Sequence, residues 1–128
     1  RMTSDMTALP PGSAIGILGS GQLGRMLALA AARLGFKCHV YSDVAGPAFD
    51  VCDRHTVAPY DDEAALSDFA KSIAVATYEF ENIPVATVEF LDRTVPVRPG
   101  AKALACAQDR INEKALARRL GAETAPFA

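Results

Sequence analysis

Residues 14–26 read "AIGILGSGQLGRM": a short apolar run that ends in glycine and passes straight into G-x-G-x-x-G. An unbroken apolar run of this length suits a strand buried on both faces. Gly19 permits a tight turn, Gly21 lets the backbone approach a ligand, and Gly24 lets the next helix pack against the strand. Leu23, Met26, Leu27, Ala30 and Leu34 then recur at helical spacing, and Gly35 is placed to end that helix. The resulting strand–turn–helix opens a βαβ unit, which requires a mainly parallel sheet with right-handed crossovers. The helix N-terminus offers N–H groups to an anion without selecting which one.

The same alternation continues. "KCHVYS" (37–42) reads as a second strand and "RHTVAPY" (54–60) as a third. Asp61, Asp62 and Glu63 open a helix at its positive dipole end, with Leu66, Phe69, Ala70 and Ile73 as the apolar stripe. "IAVATY" (73–78) is a fourth strand, and Val85, Val88 and Leu91 mark a short helix begun near Pro84. "VPVRP" (95–99) predicts a fifth strand, kept short because Pro96 lacks a ladder donor. Residues 101–110 and 111–122 then form two helical stretches with no strand between them, the second ending at Gly121. The expected fold is α/β: a Rossmann-like, doubly wound parallel sheet flanked by helices. Residues 1–13 are expected as a flexible leader, 14–100 as the sheet domain, and 101–128 as linker helices. The end at "ETAPFA", with no following strand, reads as a chain cut before a further domain.

With 128 residues, half of them hydrophobic and 22% charged, the chain can build one core. A net charge of −2 with no basic run points away from nucleic acid and anionic membranes as partners. No apolar stretch approaches the roughly 20 residues that span a bilayer. Cys38, Cys52 and Cys106 are scattered without a C-x-x-C pair, and read as reduced thiols of a cytoplasmic protein. With only His39 and His55 beside them, no metal site is expected.

In a doubly wound sheet of order 3-2-1-4, strands one and four are neighbours, and ligands bind at their carboxyl ends. The segments leaving those ends, 19–23 and "YEFEN" (78–82), are therefore expected to face each other across one crevice. Glu79 there would repel a pyrophosphate but accept a hydrogen bond from an amine or a ribose hydroxyl. The expected ligand is mixed, with an anionic part at the helix N-terminus and a donor group near Glu79. Gly21, Gln22, Leu23 and Glu79 are the candidate binding residues, joined by Asn82, which has a competing role as a helix cap. Glu81 reads as a solvated loop charge. Two other readings stay open. Asp43 stands 24 positions after Gly19, near where an NAD(P)-binding domain places its ribose-reading acid. An interaction module would use the glycines for packing alone.

Three segments taken together, "GILGSGQLGRML", "TYEFENIP" and "RPGAKALACAQDRINEK" with its "LG" and "TAPF" beyond, resemble the N-terminal part of the N5-carboxyaminoimidazole ribonucleotide synthetases, an ATP-grasp family. The resemblance covers nearly everything from Ala14 onward. It implies a pre-ATP-grasp domain followed by the first helices of a truncated ATP-grasp domain. It also implies an ATP-dependent ligase of purine biosynthesis that carboxylates 5-aminoimidazole ribonucleotide with bicarbonate, with Mg2+ bridging the nucleotide phosphates. In such enzymes the pair after the second glycine contacts the ribonucleotide, which implicates Gln22 and Leu23, and the first acid of the strand-four motif does likewise, which implicates Glu79. The arginine of "QDR" reaches ATP, which implicates Arg110, with Lys114 nearby. ATP and Mg2+ would be held mainly outside these 128 residues, so no catalytic residue is expected in them, and the chain alone is expected not to turn over. A homodimer is also implied. Another ATP-grasp enzyme acting on a ribonucleotide amine is the neighbouring alternative.

Overall fold

The computed structural model describes residues 9–79 and 83–105. Strand β1 (Ala14–Leu18) leads into helix α1 (Gln22–Arg33), then β2 (Lys37–Ser42), a 3-10 turn (Pro47–Asp50) and β3 (Arg54–Val57). Helix α2 (Glu63–Lys71), β4 (Val75–Tyr78) and α3 (Val85–Leu91) follow. The four strands form one parallel sheet in the order β3-β2-β1-β4. This is the α/β doubly wound arrangement expected from the alternation of elements.

Side-chain alternation along the strands divides the core in two. Ile15, Ile17, Cys38, Val40 and Val75 pack with Ala28 and Ala31 of α1 on one face. Leu18, Tyr41, Ala76 and Tyr78 pack with Leu66, Phe69, Val88 and Leu91 of α2 and α3 on the other. Gly16 belongs to this second face. A Cβ there would stand 2.6 Å from the Phe69 ring and overlap Ile73, so glycine lets α2 settle onto β1.

The helix ends follow from local chemistry. Asp62 caps α2 by accepting the Ala65 N–H at 3.0 Å. Gly35, at φ 89°, closes α1, and the Phe36 N–H reaches back to Ala31 O at 3.0 Å. The buried face of α1 differs from the expected stripe. Gly24, Ala28 and Ala31 face the sheet, while Leu23, Met26 and Leu34 are exposed. The helix lies close over Ile15, Ile17 and Val40, and small residues permit that approach where leucine and methionine would hold it off.

Two strand expectations also change. The third strand stops at Val57 rather than Tyr60, two residues before Pro59, which has no N–H to give. The fifth is reduced to one parallel bridge, Ala76 to Val97, made by Ala76 N–H to Pro96 O and Arg98 N–H to Ala76 O, both at 2.9 Å. Prolines at 96 and 99 prevent the ladder from continuing. At the two ends of the domain, Gly12 N–H donates to Gly35 O, and Leu104 is fully buried in the α2–α3 core. Among the described residues no helix is long and apolar enough to cross a membrane.

Gly16→Val is expected to lower stability by about 1–3 kcal/mol through overpacking against Phe69 and Ile73, read from urea denaturation. A second expectation concerns His39, buried with its ring nitrogens each 2.7 Å from Ser72 Oγ and Thr56 Oγ1. Burial, aided by the charges of Arg54 and His55, pushes its pKa from 6.5 down to about 4. Between those values the unfolded chain binds the extra proton and the folded chain does not, so stability falls as pH drops through that window. The urea midpoint should therefore decline from pH 7 to pH 5, and His39→Asn should flatten the decline.

Candidate functional site

Register brings the candidate residues together. Leu18 pairs with Tyr78, and the Glu79 N–H continues the ladder by donating to Leu18 O at 3.0 Å. Glu79 thus emerges directly beside the glycine turn that leaves β1. Gly19 takes φ 112°, a conformation reserved for glycine, while its N–H donates to Tyr41 O at 2.8 Å. Glu79 is only 7% exposed, and its Oε2 accepts the Gly24 N–H at 2.9 Å. Gly24 lies in the first turn of α1, where backbone donors lack intrahelical partners.

All three glycines of the motif border this carboxylate. A Cβ on Gly19 would overlap Glu79 Oε1, and one on Gly21 would stand 3.0 Å from Oε2. On Gly24 it would meet Gly19 O at 2.6 Å and Oε2 at 3.3 Å. The loop is a cradle for an internal anion. A charge-assisted hydrogen bond of this kind contributes about 1.5–3 kcal/mol, and the helix dipole adds roughly 0.3–1 kcal/mol.

This corrects one expectation: the Gly24 N–H does not await a ligand's phosphate, because Glu79 already holds it. A pyrophosphate seated here would stand beside a buried carboxylate. At about 4 Å and an effective dielectric near 20, each pair of like unit charges costs about 4 kcal/mol. The glycine spelling of a dinucleotide turn is present, but one of its helix-terminal donors is already taken by a carboxylate, which disfavours a pyrophosphate at that place.

Beside the cradle opens a cleft of about 510 Å³ between the carboxyl ends of β1 and β2, with Glu79 in its wall. The loop after β2 forms its far side and is strapped to the glycine turn. Ser20 Oγ donates to Val44 O at 2.9 Å, and Ala48 N–H donates to Ser20 O at 2.9 Å. Gly46 makes room for Ser20, whose Oγ would lie 2.6 Å from a Cβ at that position. Tyr60 closes one side, its hydroxyl donating to Ser42 Oγ at 3.3 Å. Burial pushes the Tyr60 phenol up, the Asp43 and Glu79 charges add to this, and the Ser42 hydrogen bond opposes it. The phenol therefore stays neutral. The described lining residues include two carboxylates, Asp43 and Glu79, and no Lys, Arg or His.

Of the residues the sequence points to, Gly19, Gly21, Asp43 and Glu79 line the cleft. Gln22 and Leu23 occupy the first turn of α1 with exposed side chains, outside that lining. Asn82, Glu81, Arg110 and Lys114 lie outside the described residues. Apart from Asp43, the β2 side of the cleft (Ser42, Tyr60 and the 44–47 loop) and Ser20 were not evident from the sequence. The Gly46-Pro47 turn just after β2 was the available signal.

The fold is a half-Rossmann α/β sheet whose glycine turn carries a carboxylate of the chain itself on the first turn of its helix. Residues 13–108 match the ribonucleotide synthetase pre-ATP-grasp domain, and the chain belongs to that family. An N5-carboxyaminoimidazole ribonucleotide synthase of Brucella melitensis is 50% identical over 124 residues, which are 96% of this chain and 34% of that protein. The solved structure of an N5-carboxyaminoimidazole ribonucleotide synthetase in complex with ADP superposes with a TM-score of 0.76 at 39% identity, covering 88% of this chain and 30% of its own. The synthase from Aspergillus clavatus, solved with ADP and 5-aminoimidazole ribonucleotide, superposes with a TM-score of 0.67 at 30% identity, covering 86% and 30%. The chain spans about a third of the length of the curated synthases it matches.

Removing the internal cap should be measurable. Glu79→Ala is expected to cost about 1.5–3 kcal/mol, and Glu79→Gln, which keeps an acceptor, about 1 kcal/mol. The Gly24 amide resonance should move strongly in the first variant and weakly in the second. An unmoved Gly24 amide in Glu79→Ala would show that the carboxylate does not hold it.

Proposed function

We propose that this chain is the substrate-side domain of an ATP-dependent ligase that carboxylates 5-aminoimidazole ribonucleotide with bicarbonate to N5-carboxyaminoimidazole ribonucleotide, a step of purine biosynthesis. The observation that carries this reading is 50% identity with the Brucella melitensis synthase across 96% of the chain. The cleft supports it chemically. An aminoimidazole ribonucleotide presents N–H and O–H donors, and the cleft presents carboxylates and neutral hydroxyls.

In this reading Glu79 accepts a hydrogen bond from the substrate amine. That bond orients the nitrogen and leaves its lone pair free to attack the carboxyl carbon of activated bicarbonate, whose carbon–oxygen bond to phosphate would break as phosphate leaves and the nitrogen gives up one proton. The cradle matters here because it fixes the carboxylate before substrate arrives, so little ordering is left to binding. Gly21 supplies close backbone approach, with Gln22, Leu23 and Asn82 as proposed further contacts to the ribonucleotide. ATP, when bound, supplies the phosphoryl group that activates bicarbonate. The described residues do not fit the nucleotide or its Mg2+: they hold no group of three or more His, Cys, Asp or Glu able to bind a metal, and the cleft lining offers no cation to a triphosphate. The proposed contact with ATP is Arg110. The chain alone is proposed to bind the ribonucleotide without turning it over, and the whole enzyme to act as a cytoplasmic homodimer.

The test is a titration of the isotope-labelled chain with 5-aminoimidazole ribonucleotide and, separately, with NADH. The ribonucleotide should shift the amides of residues 19–23 and Glu79, and NADH should leave them in place. Shifts there from micromolar NADH, with none from the ribonucleotide, would replace this reading by a dinucleotide one. In the full-length ligase, Glu79→Gln should raise KM for the ribonucleotide about tenfold or more while leaving KM for ATP nearly unchanged.

A further inference from the structure

We propose that Asp43 reads the ribose of the ribonucleotide, its carboxylate accepting hydrogen bonds from the vicinal hydroxyls while the amine is held at Glu79. The inference rests on the ribonucleotide reading above, and adds the orientation of the substrate and the residue that sets its sugar specificity.

Asp43 leaves the carboxyl end of β2 and is exposed. It lines the 510 Å³ cleft together with Glu79, and also a neighbouring cleft of about 580 Å³ walled by Val57, Pro59, Tyr60, Asp61 and Pro84. Asp43 and Tyr60 are common to both, so the two spaces adjoin along these residues. The hydroxyls of the floor are engaged inside the protein. Ser20 donates to Val44 O, Tyr60 donates to Ser42 Oγ, and Ser42 Oγ also accepts the Val44 N–H at 3.3 Å. The Asp43 carboxylate takes part in none of these bonds, and both its oxygens can accept from a ligand. Two adjacent hydroxyls match two carboxylate oxygens, and no neutral acceptor in the floor offers that pairing.

Charge fixes which part of the ligand enters. Asp43 and Glu79 in one lining, with no cation beside them, reject a phosphate and admit donors. The phosphate is therefore held at the mouth, with the sugar against β2 and the base toward β4. Asp43 occupies the position where a dinucleotide domain keeps its ribose-reading acid. Glu79 disfavours a pyrophosphate beside it, which leaves the acid to the ribose of a different nucleotide.

The test measures dissociation constants of the chain for 5-aminoimidazole ribonucleotide and its 2′-deoxy analogue, in wild type and in Asp43→Ala, by amide titration. Wild type should prefer the ribonucleotide about tenfold or more. Asp43→Ala should bring the two within about twofold by weakening the ribonucleotide more than the 2′-deoxy analogue, which offers the carboxylate only its 3′-hydroxyl. The spectrum of the unliganded variant, unchanged away from residues 42–47 and 60, verifies the fold. An undiminished preference in Asp43→Ala, or equal weakening of both nucleotides, would overturn the role of Asp43 while leaving the ribonucleotide reading standing. If neither nucleotide gives a saturable shift with wild type, the ribonucleotide reading fails, and this inference fails with it.

Discussion

A carboxylate brought from 55 residues away caps the first turn of α1. Glu79 can reach the Gly24 N–H only because β4 lies beside β1, and the sheet places the two strands in a register that sets Tyr78 against Leu18. The positive end of α1 repays this with a counter-charge for a carboxylate that is otherwise nearly buried. Loss of any of the three glycines would force the carboxylate out or the turn apart. The glycine motif, the strand order and the buried acid are therefore one device.

Rigidity of the surrounding floor follows from a second set of bonds that converge on the same turn. Ser20, between the first two glycines, holds the loop after β2 through Val44 and Ala48. Tyr60 is fixed from both ends: its hydroxyl bonds Ser42, and its carbonyl accepts the Thr87 hydroxyl of α3 at 2.8 Å. Helix α3, the end of β3 and the end of β2 are thus tied around one cleft. A ligand entering it meets polar groups already ordered, which reduces the ordering cost of binding.

Much of the scaffold was legible from the chain. Alternating strands and helices predicted the sheet order, and Leu66, Phe69, Ala70 and Ile73 are buried as their spacing implied. The stripe on α1 misled because apolar periodicity ranks residues by hydrophobicity, whereas this interface is decided by clearance. Alanine and glycine won the contact, and Leu23, Met26 and Leu34 were turned outward. The meeting of Gly19 and Glu79 could be inferred from topology. That Glu79 would take the Gly24 N–H could not, because local patterns do not report which donor a distant acid will find. The Ser20 strap was hidden for the same reason: a serine between glycines carries no mark of a partner 24 residues on.

A G-x-G-x-x-G turn specifies backbone clearance and a helix N-terminus, and neither property names the anion that will use them. In a dinucleotide domain the anion arrives with the ligand, so the site is positive until occupied. Here the anion is a side chain, and the site's sign is inverted before any ligand comes. In the proposed reading the same backbone favours what a pyrophosphate berth would disfavour: amines and hydroxyls, approaching two carboxylates across serine and tyrosine hydroxyls. One carboxylate thus occupies a helix-terminal donor that a dinucleotide domain offers to its ligand, and the sheet that places it there is the same.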